Sequence, residues 1–268
     1  MLETLSLPFR ERPPRVSVLR LTGIIAANGA RGTLAHAGLA PVIERAFRRG
    51  KPQAVALAIN SPGGSPVQSA LIGSHIRRLA DELEMPVHAF VEDVAASGGY
   101  WLAAAADEIW VDHSSITGSI GVISAGFGFH ELLARYGIER RVHTAGEDKS
   151  ILDPFRPERA RDVTRLKELQ ARIHDSFKAH VRARRGDRLD GSRDLFTGEI
   201  FVGEEAVAAG LVDGVGHLVP KMKELFGDKT RFRVFAQRRP FMARLIPGVL
   251  DEAIGAVEDR AAWARFGL

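Results

Sequence analysis

The chain has 268 residues, 45% hydrophobic and 26% charged, with a formal net charge of +4 and no cysteine. This length and balance fit one large domain or a domain with appendages, and exclude a disordered or fibrous chain. Without cysteine there is no disulfide framework, thiolate nucleophile or thiolate metal site, and arginines interleaved with carboxylates argue against a nucleic-acid surface.

The opening stretch from Met1 to Pro14 mixes Leu2, Leu5 and Leu7 with Glu3, Arg10, Glu11 and Arg12. It has no apolar signal core, and the chain has no run of about 18 apolar residues, so no transmembrane segment is expected. Arg12-Pro13-Pro14 reads as the lead-in to a first strand, Val16 to Leu21. Ala54 to Ile59 is an unbroken apolar run, as suits a parallel strand covered on both faces. Ile72, Ile76, Leu79 and Leu83 follow helical spacing and predict a helix from Val67 to Leu83. A third strand is predicted from Val87 to Val94, followed by a sharp turn at Ser97, a helix through Ala106 and a short strand from Ile109 to Val111. Strand-helix-strand alternation marks an α/β domain. A long helix is expected between Phe155 and Arg188, with Leu166, Leu169, Ile173, Phe177 and Val181 on one face and solvated arginines elsewhere.

In such sheets functional groups gather where strands give way to helices. Two loops occupy that position: Asn60-Ser61-Pro62-Gly63-Gly64-Ser65 and Ala95-Ala96-Ser97-Gly98-Gly99-Tyr100. Taken alone, each reads as an ordinary tight turn; taken as a pair in one sheet, with Gly63 and Gly64 permitting unusual backbone angles and close approach of a ligand, they read as loops whose amides, at Gly64 and Gly98, face a developing oxyanion. Ser97 is a nucleophile only if a base reaches it. The nearest downstream histidines, His113 and His130, lie in settings that do not mark a base, and the Gly-x-Ser-x-Gly elbow is absent because positions 95 and 96 are alanine. Lys149, in the polar loop Ala145-Gly146-Glu147-Asp148-Lys149-Ser150, is the other candidate base. It is either solvated beside two carboxylates or buried enough to lose its charge near neutral pH. Ser119, in Thr117-Gly118-Ser119-Ile120-Gly121-Val122, either satisfies a turn or holds such an amine without charging it.

Together these segments, with Leu195-Phe196-Thr197-Gly198-Glu199 and Gly210-Leu211-Val212-Asp213 further on, resemble the bacterial signal peptide peptidase A family of serine peptidases over residues 16 to 226. The resemblance implies a Clp-protease-like (crotonase) fold of repeated strand-strand-helix units with a C-terminal helical extension. It also implies a Ser97/Lys149 dyad, with Ser119 orienting the lysine and the Gly64 and Gly98 amides forming the oxyanion hole. No cofactor or metal is expected. The substrates implied are peptides, in particular signal-peptide-like or other apolar ones, and family members assemble into rings.

The division expected is a lead-in over 1–15, a peptidase domain over 16–228 and a basic, amphipathic extension over 229–268. In that extension Leu250, Ile254, Val257, Ala261 and Ala264 recur at steps of four and three, after the basic and apolar Arg238-Arg239-Pro240-Phe241-Met242-Ala243-Arg244-Leu245-Ile246. Such a segment serves its own domain, an oligomer interface or an anionic membrane surface, with the interface favoured over the membrane. Many family members carry an amino-terminal anchor; none is expected from this sequence, and a cytoplasmic chain, or one peripheral on a membrane, is expected. The rival readings are a crotonase-type enzyme acting on a coenzyme A thioester and a non-catalytic scaffold.

Overall fold

The computed structural model describes residues 13–27, 33–146, 148–237, 260 and 262–268. The first strand, β1 (Arg15–Thr22), leads through α1 (His36–Arg48) to β2 (Ala54–Ser61), and α2 (Pro66–Glu82) carries the chain back to β3 (Val87–Ala96). These three strands run parallel, with Val16 opposite Ala54 and Val55 opposite Val87. The apolar run in β2 is explained by its two covered faces. Val55, Leu57 and Ile59 join the large core under α1 and α2, while Ala54, Ala56 and Ala58 join a smaller cluster with Val16, Val18, Phe90 and Met222.

After β3 the chain turns into α3 (Gly98–Ala103), β4 (Glu108–Val111) and β5 (Ile116–Gly118). The ten-residue β3 is paired in two stages: its first half with β4, at His88 to Phe90, and its last residues with β5, at Val94 to Ala96. The second pairing carries Gly118 beside Ala96, so the loop after β5 emerges next to the turn after β3. Helix α3 ends three residues before the expected Ala106, because Ala105 and Ala106 donate to Leu102 and Ala103 and tighten the last turn.

An exposed segment holding α4 (His130–Arg135) then leads to α5 (Ala160–Arg185), which starts beyond Pro157, later than the expected Phe155. The short β6 (Ile200–Val202) pairs antiparallel with β5 and is followed by α6 (Glu204–Ala208). β7 (Gly214–Val215) pairs with β4, and α7 (Leu218–Phe226) covers the smaller cluster through Met222. The last strand, β8 (Arg231–Phe235), lies parallel to β1, so the stretch read as an extension opens with a strand of the main sheet. The main path runs β6-β5-β3-β2-β1-β8. Of the helical seam expected at the C-terminus, only Ala264 falls among the described residues.

Helix α5 corrects one expectation. Its apolar stripe is buried only at Phe177 and Val181, while Leu169 and Ile173 are exposed. Its last arginines are not solvated: Arg185 is 3% exposed, donates to Gly210 O and grips Asp213 through two nitrogens at 2.7 and 3.1 Å. The planar guanidinium matches a carboxylate and a carbonyl together, so an arginine can be buried where a lysine would lose contacts.

Candidate active site

Serine 97 occupies a backbone conformation that side chains rarely adopt, with φ 51° and ψ −120°. Holding a residue there costs on the order of 1–3 kcal/mol, which persists only when the surroundings enforce it. They do. The Ser97 N–H donates to Gly118 O at 2.8 Å, and Trp101 N donates to Ser97 O at 3.0 Å. Gly99 lies so close to β2 that a methyl group there would come 2.4 Å from Ser61 O. The turn therefore reaches the geometry of a nucleophile elbow without its Gly-x-Ser-x-Gly sequence.

Two serines at helix starts separate the structural reading from the chemical one. Ser65 caps α2 in the ordinary way, its Oγ accepting from Gln68 N at 3.4 Å with Pro66 in the first turn. Ser97 stands at the same position before α3, and its hydroxyl makes no capping bond. Partly exposed at the head of a fully buried helix, it is left available for other chemistry.

The glycine loop after β2 closes on this turn. A methyl group on Gly63 would come 2.8 Å from both Ser97 Cβ and Gly98 N, and one on Gly98 would come 3.3 Å from Gly64 N. Gly64 itself, at φ 140°, backs onto Ile25 O, which a methyl would approach at 2.1 Å. Ile25 N donates to Gly63 O and Ser65 N to Ile25 O, fixing the loop from its outer side. Neither Gly64 N nor Gly98 N donates to any backbone carbonyl among the described residues. Two adjoining free amides beside a serine hydroxyl can bind an oxygen that gains charge as the hydroxyl attacks its carbon.

Serine 119 sits on the other flank, in the loop that β5 delivers beside β3. Its φ is 49°, and its N–H donates to Glu199 O at 2.7 Å, so the Leu195–Glu199 segment holds it in place. The next residue is pinned from α5, where His174 Nε2 lies 3.0 Å from Ile120 O. Tyr100, buried in α3, donates to Leu211 O at 2.7 Å, and burial pushes its phenol pKa up. The structure thus brings Ser97, Gly64, Gly98 and Ser119 together. It does not bring Lys149 to them: that side chain is exposed, and no hydrogen bond joins its amine to Ser97.

Residues 80–226, more than half of the chain, match the sequence profile of peptidase family S49. The chain belongs to peptidase family S49. A Brucella melitensis protein named Na(+)/H(+) antiporter NhaA is 45% identical over 278 aligned residues, covering 97% of this chain and 38% of its own length. Serine protease SPPA, chloroplastic, of Arabidopsis thaliana is 32% identical over 216 residues, covering 76% of this chain and 31% of its own. The S49 chain therefore spans about a third of the length of these curated relatives. A solved structure of the 1510-N membrane-bound stomatin-specific protease with a substrate peptide covers 92% of the chain at 15% identity and a TM-score of 0.51, which shows the fold, the Clp-protease-like (crotonase) α/β arrangement.

The histidines take other work. His113 pairs with Glu204 on the surface, and His130 starts α4; neither bonds Ser97. Sequence reasoning missed His174 and His180, which reach across from α5: His180 stacks on Trp101 at 4.5 Å and lies 3.1 Å from Trp101 O. Their signal was available only as two histidines on the apolar side of one helix. Gly99 was also missed, although it lies inside the Ala95–Tyr100 motif.

Proposed function

We infer that the chain is a serine peptidase in which Ser97 is the nucleophile, Lys149 the general base, Ser119 the hydroxyl that orients the lysine amine, and the Gly64 and Gly98 amides the oxyanion hole. The observation that carries the reading is Ser97 itself: forced to φ 51°, uncapped, and set against two adjoining amides. Its Oγ attacks a peptide carbonyl carbon while its proton passes to the Lys149 amine. The carbonyl oxygen gathers charge between the two amides, the lysine returns the proton to the departing amine, and an acyl group remains on Oγ. Water, deprotonated by the same amine, then hydrolyses that ester. The substrates are signal-peptide-like or other apolar peptides.

The second half of the site is completed by assembly. From Gly121 to Arg161 not one described residue is buried, and the stretch presents Phe127 at 81%, Tyr136 at 70% and Ile123 at 69% exposure. So much apolar surface on one arm is characteristic of an interface. A ring of identical chains covers it, and burial there is what removes the charge from an amine on the same arm. A peripheral contact with a membrane through the Arg238–Ile246 stretch is the other partner, and that stretch lies outside the described residues. The antiporter name of the Brucella relative describes a protein more than twice as long; among the described residues no helix here is long and apolar enough to cross a membrane.

The deciding experiment is Ser97→Ala with a quenched fluorescent apolar peptide, beside labelling of the intact chain by a serine-directed phosphonate. Loss of both hydrolysis and label supports the peptidase. Undiminished hydrolysis removes it, and turnover of an acyl coenzyme A thioester that survives the substitution supports the crotonase alternative.

A further inference from the structure

The strands that lead to Ser97 and Gly64 do so at their C-terminal ends, and the N-terminal ends of the sheet carry a different chemistry. There β1 and β8 start side by side, with Arg15 in register with Arg231 and Ser17 with Arg233. Arg45 and Arg49 come to the same edge from the C-terminal end of α1. These five arginines line two adjoining cavities, of about 230 and about 320 Å³, that share Arg49 and Arg233.

Many guanidinium groups elsewhere in the molecule are matched with carboxylates, among them Arg20 with Glu92, Arg48 with Glu44, Arg77 with Asp107, and Arg185 with Asp213. Here, among the described residues, none of the five has a carboxylate partner. Arg15 donates only to Gly50 O, at 3.1 Å, and Arg233 lies over the Phe235 ring. Like charges opposite one another in a strand ladder are destabilising, so Arg15 beside Arg231 is a cost that a bound anion would reverse. The guanidinium fork is suited to phosphoryl oxygens.

All five arginines are exposed, and the cavities between them open to solvent instead of enclosing a ligand. Val234, on the same edge strand, is 61% exposed. The sequence runs on from this strand into Arg238-Arg239-Pro240-Phe241-Met242-Ala243-Arg244-Leu245-Ile246, which again mixes cations with apolar side chains. A headgroup layer accommodates both, phosphates with the arginines and hydrocarbon with the apolar groups.

We propose that the edge formed by Arg15, Arg45, Arg49, Arg231 and Arg233 docks the chain on an anionic lipid bilayer. This surface stands on residues away from Ser97 and does not depend on the peptidase reading. Each arginine near an anionic membrane contributes about fivefold in partitioning, so removing two weakens it about thirtyfold.

The test is co-sedimentation of the full chain with vesicles of phosphatidylcholine alone, or with about a third phosphatidylglycerol, at low and high salt. Wild type partitions to the anionic vesicles at low salt and is released by high salt. Arg49→Ala/Arg233→Ala loses about thirtyfold, and Arg45→Gln/Arg231→Gln loses a similar factor by a different route. Arg49→Lys/Arg233→Lys keeps most of the binding, no variant melts below wild type, and all hydrolyse a soluble peptide normally. The proposal is overturned if wild type ignores anionic vesicles or if both arginine pairs can be removed without loss. It is also overturned if inorganic phosphate displaces the chain where chloride of equal ionic strength does not, since that marks a discrete phosphate site. Preference for a single-stranded oligonucleotide over the vesicles would equally reject it.

Discussion

Two regions of the molecule hold the proposed chemistry, and they are built differently. Around Ser97 every neighbour is fixed by backbone: Gly63 against its Cβ, Gly118 O on its N–H, Ile25 behind Gly64, and Glu199 O on Ser119 N. The arm carrying Lys149 has only local support, such as Phe129 N to Pro154 O at 2.6 Å, Phe129 against Phe155 at 5.6 Å, and Arg140 on Asp153 at 3.1 Å. The proposed acyl-transfer geometry is thus preformed within one chain, whereas the proposed base, Lys149, stands on an exposed surface. Under the proposed mechanism, coupling this lysine to assembly would keep an isolated chain from cleaving peptides.

The largest expected effects test the rigid region first. Ser97→Ala should remove hydrolysis by 10³-fold or more, on the scale seen when a nucleophile is deleted from a serine peptidase. Lys149→Ala should fall into the same range, with Lys149→Arg equally inactive because a guanidinium does not give up its proton. Peptide turnover within tenfold of wild type in either lysine variant would remove the arm from the mechanism. The acid limb of the pH–rate profile should be untouched by His113→Ala and His130→Ala.

The contrast itself is tested on the arm. Phe127→Asp places a charge on the most exposed aromatic there. It should lower activity at least tenfold at dilute protein while leaving the melting temperature unchanged, with a smaller species in sedimentation velocity. A variant that is monomeric and fully active would show that Lys149 reaches Ser97 within one chain.

Smaller effects distinguish the two glycines proposed to form the oxyanion hole. At Gly64, with φ 140°, a methyl strikes the Ile25 backbone, so Gly64→Ala must move the loop and should cost about 10²–10³ in turnover together with stability. At Gly98 the nearest obstacle is Ser69 Oγ, the end of a side chain that can rotate, so Gly98→Ala should cost less than about tenfold. Peptide kinetics and thermal melts on the pair decide it, and the reverse order would place the amides differently. Ser119→Ala should lower turnover about tenfold without changing the melting temperature, because its backbone N–H, and not its hydroxyl, anchors the loop.

Much of the rigid region was legible in the sequence. The strands β1 to β3 follow directly from their apolar runs, and the glycine motifs named the residues that meet. Two features were not legible, each for a physical reason. Ser97 has an unfavourable backbone conformation that no local propensity announces; it is imposed by Ser61 and Gly118, one before it and one after it in the chain. The arginine edge is assembled from β1, α1 and β8, so no window of sequence contains it. Helix α5 departs from expectation for another reason: Leu169 and Ile173 repeat at helical spacing whether the face they form packs on its own domain or on another chain.

The smallest effect concerns how α5 holds α3. His180 is buried against Trp101, and burial is the main reason its pKa lies below the ordinary value of 6.5. His36, hydrogen-bonded to His75 at 3.2 Å, is lowered first by burial and then by that neighbour. Both are therefore neutral in the folded chain over a range where the unfolded chain has begun to bind protons. Their contribution is fully present above about pH 6.5 and is lost as the pH falls through the lower folded-state values. The melting temperature should be level above neutrality and decline below it. His180→Gln, which keeps a donor for Trp101 O without taking a proton, should flatten part of that decline, and adding His36→Gln should flatten more. An unchanged slope in the double variant would mean that acid acts through carboxylates such as Glu44, whose bonds to Arg48 and His75 hold its pKa down at about 2. The decline would then begin well below the histidine range.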